Sequence, residues 1–264
     1  MLHVKDVALS ESMNAKERFT TRVDDYRKFR PHYPAPLLEL LRRECGLTPS
    51  SVIADIGAGT GILTEIFLEH CNPVIAVEPN AAMRAACAEL AAPYPKLECI
   101  DGTAEATGLP DASIDFVTVG QALHWFDRRR ARQEFARILR PHRYAVVLTN
   151  ERHMGPEPFF VAYEQLLREH GIDYQRVKAT YPSISDTLEF FAPAKMHMAI
   201  FPNHQDFDFE GLLGRTLSSS YMPQPGHAGH EAMHAALMHI FERHQMQGKV
   251  RMMYDCRVAY GQLT

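Results

Sequence analysis

Paired cysteines, long apolar runs and an excess of one charge are all missing from this sequence. Its five cysteines are odd in number, widely spread and without a Cys-x-x-Cys pair, which argues against a disulfide framework and a zinc knuckle. No apolar window approaches the length needed to cross a bilayer, and the polar segment from Met1 to Ser12 holds no apolar signal region. We therefore expect a reducing, cytoplasmic location without secretion or a membrane partner.

The charged residues nearly balance. The sequence has 28 Lys and Arg against 32 Asp and Glu, a formal net charge of -4, which gives no general attraction to the phosphate backbone of nucleic acid. The stretch from Arg128 to Arg132 is rich in arginine, but Ala131, Phe135 and Ile138 follow it at core spacing, so the arginines are interpreted as an exposed helix face. We expect a small-molecule partner and no nucleic acid. The oligomeric state does not follow from the sequence.

The 264 residues, 46% of them hydrophobic, predict one domain with a well-buried core. Strands are predicted at residues 51–56, 73–77, 97–100, 114–119 and 144–149, with helices between them. This alternation predicts an α/β fold with a doubly wound, mostly parallel sheet covered on both faces. Its parts are a helical cover at 1–48, a ligand-binding core at 49–150, a cap insertion with a late strand at 151–247 and a closing strand at 248–264.

The helix predictions rest on apolar spacing and on terminal signals. Phe19, Val23, Tyr26 and Phe29 recur at helical intervals, and Pro34 and Pro36 open a second helix. Asn80 is the predicted N-cap of a core helix. Further helices are predicted near 62–67, 128–139, 156–170, 209–218 and 231–244, and further strands at 195–202 and 250–260.

A glycine turn follows the first predicted strand. Gly57, Gly59 and Gly61 lie at the carboxyl end of that strand, where a doubly wound sheet binds its ligand. A dinucleotide fingerprint would need a third glycine where Ile62 stands, so that alternative fails. Asp55, two residues before the turn, suits the ammonium end of an amino-acid-bearing ligand, and Glu78, directly after the second strand, suits a ribose diol.

Four segments in this order resemble the class I S-adenosylmethionine-dependent methyltransferases. They are Asp55 to Gly61, Glu78-Pro79-Asn80, Asp101 to Glu105 and Gln121 to Phe126. Within that family the sequence is most similar to the small-molecule branch that includes the trans-aconitate methyltransferases, which have counterparts of Arg30 to Pro34 and of His124 to Asp127. The resemblance covers residues 15–150 and implies a Rossmann-like, seven-stranded fold, with S-adenosylmethionine as cofactor.

The resemblance also implies roles for individual residues. Asp55, Gly57, Gly59 and Gly61 would hold the methionine moiety and Gln121 would line its end. Glu78 and Pro79 would bind the ribose side, and Met83 with Asp101, Gly102, Thr103 and Ala104 would bind the adenine. Tyr26, Arg30, Tyr33 and Trp125 would cover the cofactor and bind the substrate. The family usually has a glycine pair before the fifth strand, where this sequence has His142-Arg143, so that turn must be built differently.

The chemistry expected of such a site is methyl transfer to a small molecule, and no metal is required. His124 ends the fourth strand, where an acceptor approaches, and its imidazole is a candidate base or orienting group. A carboxylic acid acceptor, which needs no base, is the simplest choice, and Arg30 could pair with it or with a neighbouring aspartate such as Asp24 or Asp25.

Two rival functions remain at this point. His230-Glu231-x-x-His234 matches the signature of zinc hydrolases, although Leu237 and Ile240 stand where the long form of the motif has glycine and histidine. A binding module that keeps the cofactor pocket without the chemistry is the other, and a turnover assay separates it from an enzyme.

Overall fold

The computed structural model describes residues 23–263, without the side chain of Asp24. The predicted N-terminal helix is therefore seen from Val23 onward, and its Phe19 lies outside the described residues. Among the described residues, no helix has both the length and the apolar character of a membrane span.

Seven strands of the described chain form one sheet in the order β3-β2-β1-β4-β5-β7-β6. They are β1 Ile53–Ile56, β2 Val74–Val77, β3 Leu97–Ile100, β4 Ile114–Gly120, β5 Leu139–Arg152, β6 His197–Phe207 and β7 Val250–Gln262. The first five strands pair in parallel, whereas β7 lies antiparallel between β5 and β6. The predicted doubly wound, mostly parallel sheet is confirmed.

Ten helices surround the sheet within residues 23–263. They are α1 Val23–Phe29, α2 Pro36–Cys45, α3 Ile62–Glu69, α4 Ala81–Ala88, α5 Arg128–Ile138, α6 Pro158–His170, α7 Tyr174–Thr180, α8 Ile184–Phe191, α9 Phe209–Leu217 and α10 His230–His244. The side chain of Asn80 accepts a hydrogen bond from the backbone N–H of Met83, as a helix N-cap does. Short 3₁₀ turns follow α4 at Glu89–Ala91 and β4 at Leu123–Trp125.

The buried apolar residues form three clusters. One covers the sheet face under α5 and includes Phe135 and Ile138, and a second covers the opposite face under α2 and α3. The third fills the cap around Tyr163, Leu212 and Tyr254. Strand β7 contributes to all three clusters, because its first half packs into the cap and its second half packs into both faces of the sheet core. The cap is thus fixed to the sheet by a continuous strand.

The chain order places a ligand site between β1 and β4. From β1 the chain winds outward through β2 and β3, and β4 then returns to the other side of β1. At this switch point the carboxyl ends of neighbouring strands diverge and leave a crevice. The glycine turn after β1 and Gln121 after β4 lie at that crevice.

Two helices of the cap were not predicted. Helix α7 buries Tyr174 and Val177, and α8 begins with a capping box in which Ser183 and Asp186 exchange side-chain and backbone hydrogen bonds. The Ser-x-x-Asp spacing was a readable start signal for α8. Both helices are short, with seven and eight residues, which gives little room for an apolar period.

The turn between α5 and β5 departs from the glycine pair typical of the family. Strand β5 begins directly after the helix, and its register against β4 shifts between the pairs Ile114↔Leu139 and Phe116↔Tyr144. The extra residues form a bulge in which His142 has a φ of 61°. This left-handed conformation is costly for a residue with a Cβ atom, so the turn carries local strain.

Replacing His142 by glycine should therefore stabilise the protein. The relief of the left-handed conformation exceeds the added entropy of the unfolded chain, and we expect a net gain of about 0.5 to 1 kcal/mol. Urea denaturation of wild type, His142→Gly and His142→Ala measures it. The alanine variant controls for loss of the exposed imidazole and should show no gain. A glycine variant less stable than the alanine variant would contradict the expectation.

Candidate active site

The glycine turn closes tightly over the end of β1. Gly57 has a φ of 69° and its N–H donates to the carbonyl oxygen of Val77 at 2.8 Å. A Cβ atom on Gly57 would come within 2.7 Å of the Cβ of Ala122. Only glycine satisfies both the conformation and the space here. The turn can therefore lie against the end of β4 and leave room for a ligand above the sheet.

Glu78 is held in position at the end of β2. Its Oε2 accepts a hydrogen bond from the N–H of Gly59 at 2.9 Å, and its Oε1 accepts one from the N–H of Asn80 at 2.8 Å. The side chain is buried, with 8% exposure. A carboxylate held at this place by backbone donors is a charged acceptor suited to the hydroxyls of a diol.

A cavity of about 220 Å³ opens beside this carboxylate. We call it the glycine-loop cavity because Gly57 and Gly59 line it. Its polar lining includes Glu78 and Gln121, and its apolar lining is formed by Met83, Ala104, Ala122, Trp125 and Phe126. An elongated ligand with polar groups at one side and a flat apolar part matches this distribution.

Asp55 lies under the glycine turn. Its two carboxylate oxygens accept hydrogen bonds from the hydroxyls of Thr64 at 2.6 Å and Thr118 at 3.0 Å. Burial raises the pKa of Asp55 to about 6, although both threonine hydrogen bonds lower it. The residue lines a narrow cleft of about 30 Å³, shared with Arg30, Tyr33 and Gln121.

Gln121 has a strained backbone and an acceptor without a partner. Its φ is 56°. Its backbone N–H donates to the carbonyl oxygen of Leu148, and its side-chain Nε2 donates to the carbonyl oxygen of Asn150 at 2.9 Å. Its Oε1 is buried and has no hydrogen-bond partner within the described chain. Strained residues with unmet polar atoms are typical of ligand sites.

Arg30 extends from the end of α1 over the same cleft. Its Nη2 donates to the carbonyl oxygen of Ser218 at 2.8 Å, and its guanidinium lies 4.8 Å from the ring centre of Tyr26. Its Nε is buried without a hydrogen-bond partner in the described residues. No described carboxylate pairs with it, so a charged donor is left available to an anion.

A third and larger cavity, of about 340 Å³, lies between the sheet and the cap. Arg30 and Gln121 line this cap cavity as well as the narrow cleft. Four more basic side chains line it, namely Arg152, Lys178, Arg215 and Arg257. Sequence reasoning missed all four. The one available signal was Arg215, a lone cation among leucines in a predicted helix.

His124 occupies the 3₁₀ turn between two cavities. Its ring centre lies 4.8 Å from that of Trp125, which lines the glycine-loop cavity, and 4.4 Å from that of Tyr181, which lines the cap cavity. Desolvation and, to a smaller extent, the charge of Arg30 lower the pKa of His124 to about 3. The imidazole is therefore neutral at physiological pH, and it lines none of the three cavities.

Residues 54–147 match the family model described as a methyltransferase domain. The matched segment runs from β1 into β5 and contains the glycine turn, Glu78 and Gln121. This segment is therefore similar in sequence to a methyltransferase domain.

Two relatives and a solved structure agree with this result. An uncharacterized methyltransferase of Schizosaccharomyces pombe is 35% identical over 152 residues, 57% of this chain and 59% of that protein. A probable S-adenosylmethionine-dependent methyltransferase of Saccharomyces cerevisiae is 30% identical over 120 residues, 44% of this chain and 40% of that protein. The chain thus matches less than two thirds of the length of either relative.

The structure of a proposed type II methyltransferase from Anaeromyxobacter dehalogenans has a TM-score of 0.66 to this fold at 23% identity. The similarity covers 89% of this chain and 98% of that one. It confirms the predicted class I methyltransferase fold.

Some of the predicted site residues lie away from the cavities. The side chain of Asp101 is 70% exposed and lies 3.4 Å from Arg84, and Gly102 packs against Val77 and Thr107. Gly61 is the N-cap of α3 and packs against Leu90 and Cys87. Ten of the other predicted residues line the glycine-loop cavity. They are Tyr26 from α1 and, from residues 54–147, Gly57, Gly59, Glu78, Pro79, Met83, Thr103, Ala104, Gln121 and Trp125.

The histidine motif of α10 receives no support as a zinc centre. The Nδ1 of His230 donates to the carbonyl oxygen of Pro223 at 3.1 Å, and His234 packs edge-on against the ring of Phe209. Within residues 23–263, no group of three or more His, Cys, Asp and Glu side chains is arranged to hold a metal ion. The two histidines contribute to the packing of the cap.

Proposed function

We propose that this protein is an S-adenosylmethionine-dependent methyltransferase whose acceptor is a small anion, most simply a carboxylic acid, bound in the cap cavity. The observation that carries this proposal is the meeting of cavities at Gln121. This residue lines the glycine-loop cavity, the narrow cleft and the cap cavity. A cofactor on one side and an acceptor on the other would react next to it.

The unmet polar atoms fit the cofactor. The buried Oε1 of Gln121 suits the methionine ammonium, with Asp55 as the nearby negative charge, and the buried Nε of Arg30 suits the methionine carboxylate. Glu78 would accept hydrogen bonds from the ribose diol, while Met83 and Ala104 would contact the adenine. When bound, the cofactor supplies a methyl group activated by its sulfonium.

The remaining catalytic work is positioning and exclusion of water. The 151–247 cap would close the acceptor against β5 and β7, and Tyr26 and Tyr33 would cover the cofactor side of the same crevice. His124, held neutral and packed between the rings of Trp125 and Tyr181, would maintain the wall between the two cavities. The sequence analysis considered His124 as a candidate base or orienting group, and a role in the wall is distinct from that of a base.

The anionic acceptor is supported by charge. Among the residues lining the cap cavity are five cations and one carboxylate, Glu151. The resemblance of the sequence to the branch that includes the trans-aconitate methyltransferases points to the same class of acceptor. A guanidinium can pair with a carboxylate through two hydrogen bonds and fix its orientation.

A panel of small acids, phenols and amines with methyl-labelled cofactor tests the proposal. We expect label transfer to carboxylic acids, with a kcat that is constant from pH 5 to 8, because the acceptor is already ionised and His124 has a pKa of about 3. Transfer only to amines or phenols would overturn the anionic acceptor. Binding of the cofactor without turnover on any acceptor would favour the binding module.

A further inference from the structure

Three of the cations around the cap cavity already have a carboxylate partner within the protein. Glu164 accepts hydrogen bonds from Arg152 at 2.6 Å and from Lys178 at 2.8 Å. Desolvation raises the pKa of Glu164, but the hydrogen bonds from Lys178, Tyr174 and Arg152 outweigh this and hold it at about 2, so Glu164 stays ionised. Arg257 pairs with Glu151 at 2.6 Å. These cations have partners without any ligand.

Arg215 is different. Its side chain belongs to α9, is 8% exposed and has no carboxylate partner among the described residues. Its Nε donates to the hydroxyl of Tyr254 at 3.1 Å and its Nη1 to the hydroxyl of Ser219 at 3.2 Å. These two hydrogen bonds use two of the three guanidinium nitrogens. A buried guanidinium stays charged, and an unpaired buried charge is costly, so an anion in the cavity would stabilise it.

Arg30 and Arg215 approach the cavity at neighbouring positions. Arg30 donates to the carbonyl oxygen of Ser218, and Arg215 donates to the side chain of the next residue, Ser219. Arg30 also lines the narrow cleft under the glycine turn, where it would pair with the methionine carboxylate of the cofactor. Among the described cations that line the cavity, Arg215 is then the one left without a carboxylate partner, which favours an acceptor with a single carboxylate at this position.

Part of the remaining cavity wall is apolar, and the cavity reaches the surface. Val147, Met198 and Ala259 form part of its wall on the sheet side. At its rim are three exposed apolar side chains, Met154 at 52%, Tyr181 at 40% and Ile184 at 47% exposure. Exposed apolar side chains that line the mouth of a cavity are typical of a site for an apolar ligand.

We propose that the acceptor is an amphipathic monocarboxylic acid, bound with its carboxylate at Arg215 and its apolar part against the sheet wall and the Met154, Tyr181 and Ile184 rim. This inference rests on the proposed methyltransferase function. In the reaction, a carboxylate oxygen forms a bond to the methyl carbon as the carbon–sulfur bond breaks, and the bonding pair stays on sulfur. The products are a neutral methyl ester and a neutral thioether, and no proton is transferred.

The test compares saturated monocarboxylic acids of four to ten carbons with dicarboxylic acids of the same lengths, using methyl-labelled cofactor. We expect kcat/KM for the monoacids to rise about two- to fourfold with each methylene, as apolar burial requires. A second carboxylate at the far end should lower kcat/KM at least tenfold. Arg215→Gln should raise the KM for octanoate at least tenfold and leave the dissociation constant of S-adenosylhomocysteine unchanged, and Arg215→Lys should recover part of the loss.

Ile184→Ser provides a second variant that does not disturb a buried charge. Ile184→Ser should reduce the increase in kcat/KM with each methylene of the acid. Ile200 is an exposed apolar residue outside the cavity lining, so Ile200→Ser should leave that increase unchanged. If Arg215→Gln does not fold, the comparison of these two isoleucine variants decides. Preference for dicarboxylates, or an equal chain-length dependence in both isoleucine variants, overturns the inference about the acceptor. Label transfer to any of these acids would still support the proposed methyltransferase activity. Failure to bind the cofactor overturns the proposed function.

Discussion

Replacing Glu78 by alanine should weaken the binding of S-adenosylmethionine and S-adenosylhomocysteine by about 2 to 3 kcal/mol, on the order of 30- to 150-fold. Two effects combine in this loss. The variant lacks the charged acceptor for the ribose diol, and it leaves the N–H groups of Gly59 and Asn80 without the carboxylate that now orders the glycine turn.

Isothermal titration calorimetry with both ligands measures the effect. Glu98→Ala is the matched control, because Glu98 lies on the neighbouring strand β3 with its side chain exposed, and it should bind both ligands as wild type does. Equal affinities in wild type and Glu78→Ala, or tighter binding of a nicotinamide dinucleotide by the wild type, would show that the cofactor is misassigned.

Asp55→Asn should stabilise the unliganded protein at neutral pH and weaken its binding of the cofactor. Burial raises the folded-state pKa of Asp55 to about 6, from its ordinary value of 3.8. The folded protein therefore binds a proton more readily than the unfolded chain, and the contribution of Asp55 to stability falls as the pH rises from about 4 to 6. At low pH the raised pKa contributes about 3 kcal/mol to the free energy of unfolding. On the order of 1.4 kcal/mol of this contribution is lost between pH 5 and 7.5.

Urea unfolding of the unliganded wild type and of Asp55→Asn at pH 5 and 7.5 measures this linkage. The variant should gain stability relative to wild type as the pH rises, and its affinity for S-adenosylmethionine should be lower at both pH values. In the wild type, cofactor affinity should fall as the pH drops below about 6, because a protonated Asp55 no longer offers a negative charge to the ammonium. A constant stability difference between the two proteins would contradict the raised pKa.

Much of the core could be predicted from the sequence because its signals are local. The strand at 51–56, the turn at Gly57 and the cap at Asn80 each depend on a few neighbouring residues, and the structure has β1, the left-handed glycine and the capped α4 there. The order of these elements was sufficient to predict the sheet and its ligand-binding edge.

The acceptor site could not be predicted in this way. Arg215 comes from α9, Lys178 from α7 and Arg257 from β7, and nothing in their spacing indicates that they share a cavity. Equally, the sequence showed two histidines one helical turn apart in α10, but it could not show that one of them donates to the carbonyl oxygen of Pro223.

The sequence by itself determined the α/β core, its glycine turn and the acidic residues beside it, because periodicity, helix caps and tight turns are written in contiguous residues. Only the tertiary structure decided which charges remain unpaired. Whether Arg152 or Arg215 is free to bind an anion depends on whether a carboxylate such as Glu164 lies within hydrogen-bonding distance. The charge state of Asp55 and His124 depends in the same way on burial, which arises when distant segments pack together and exclude water.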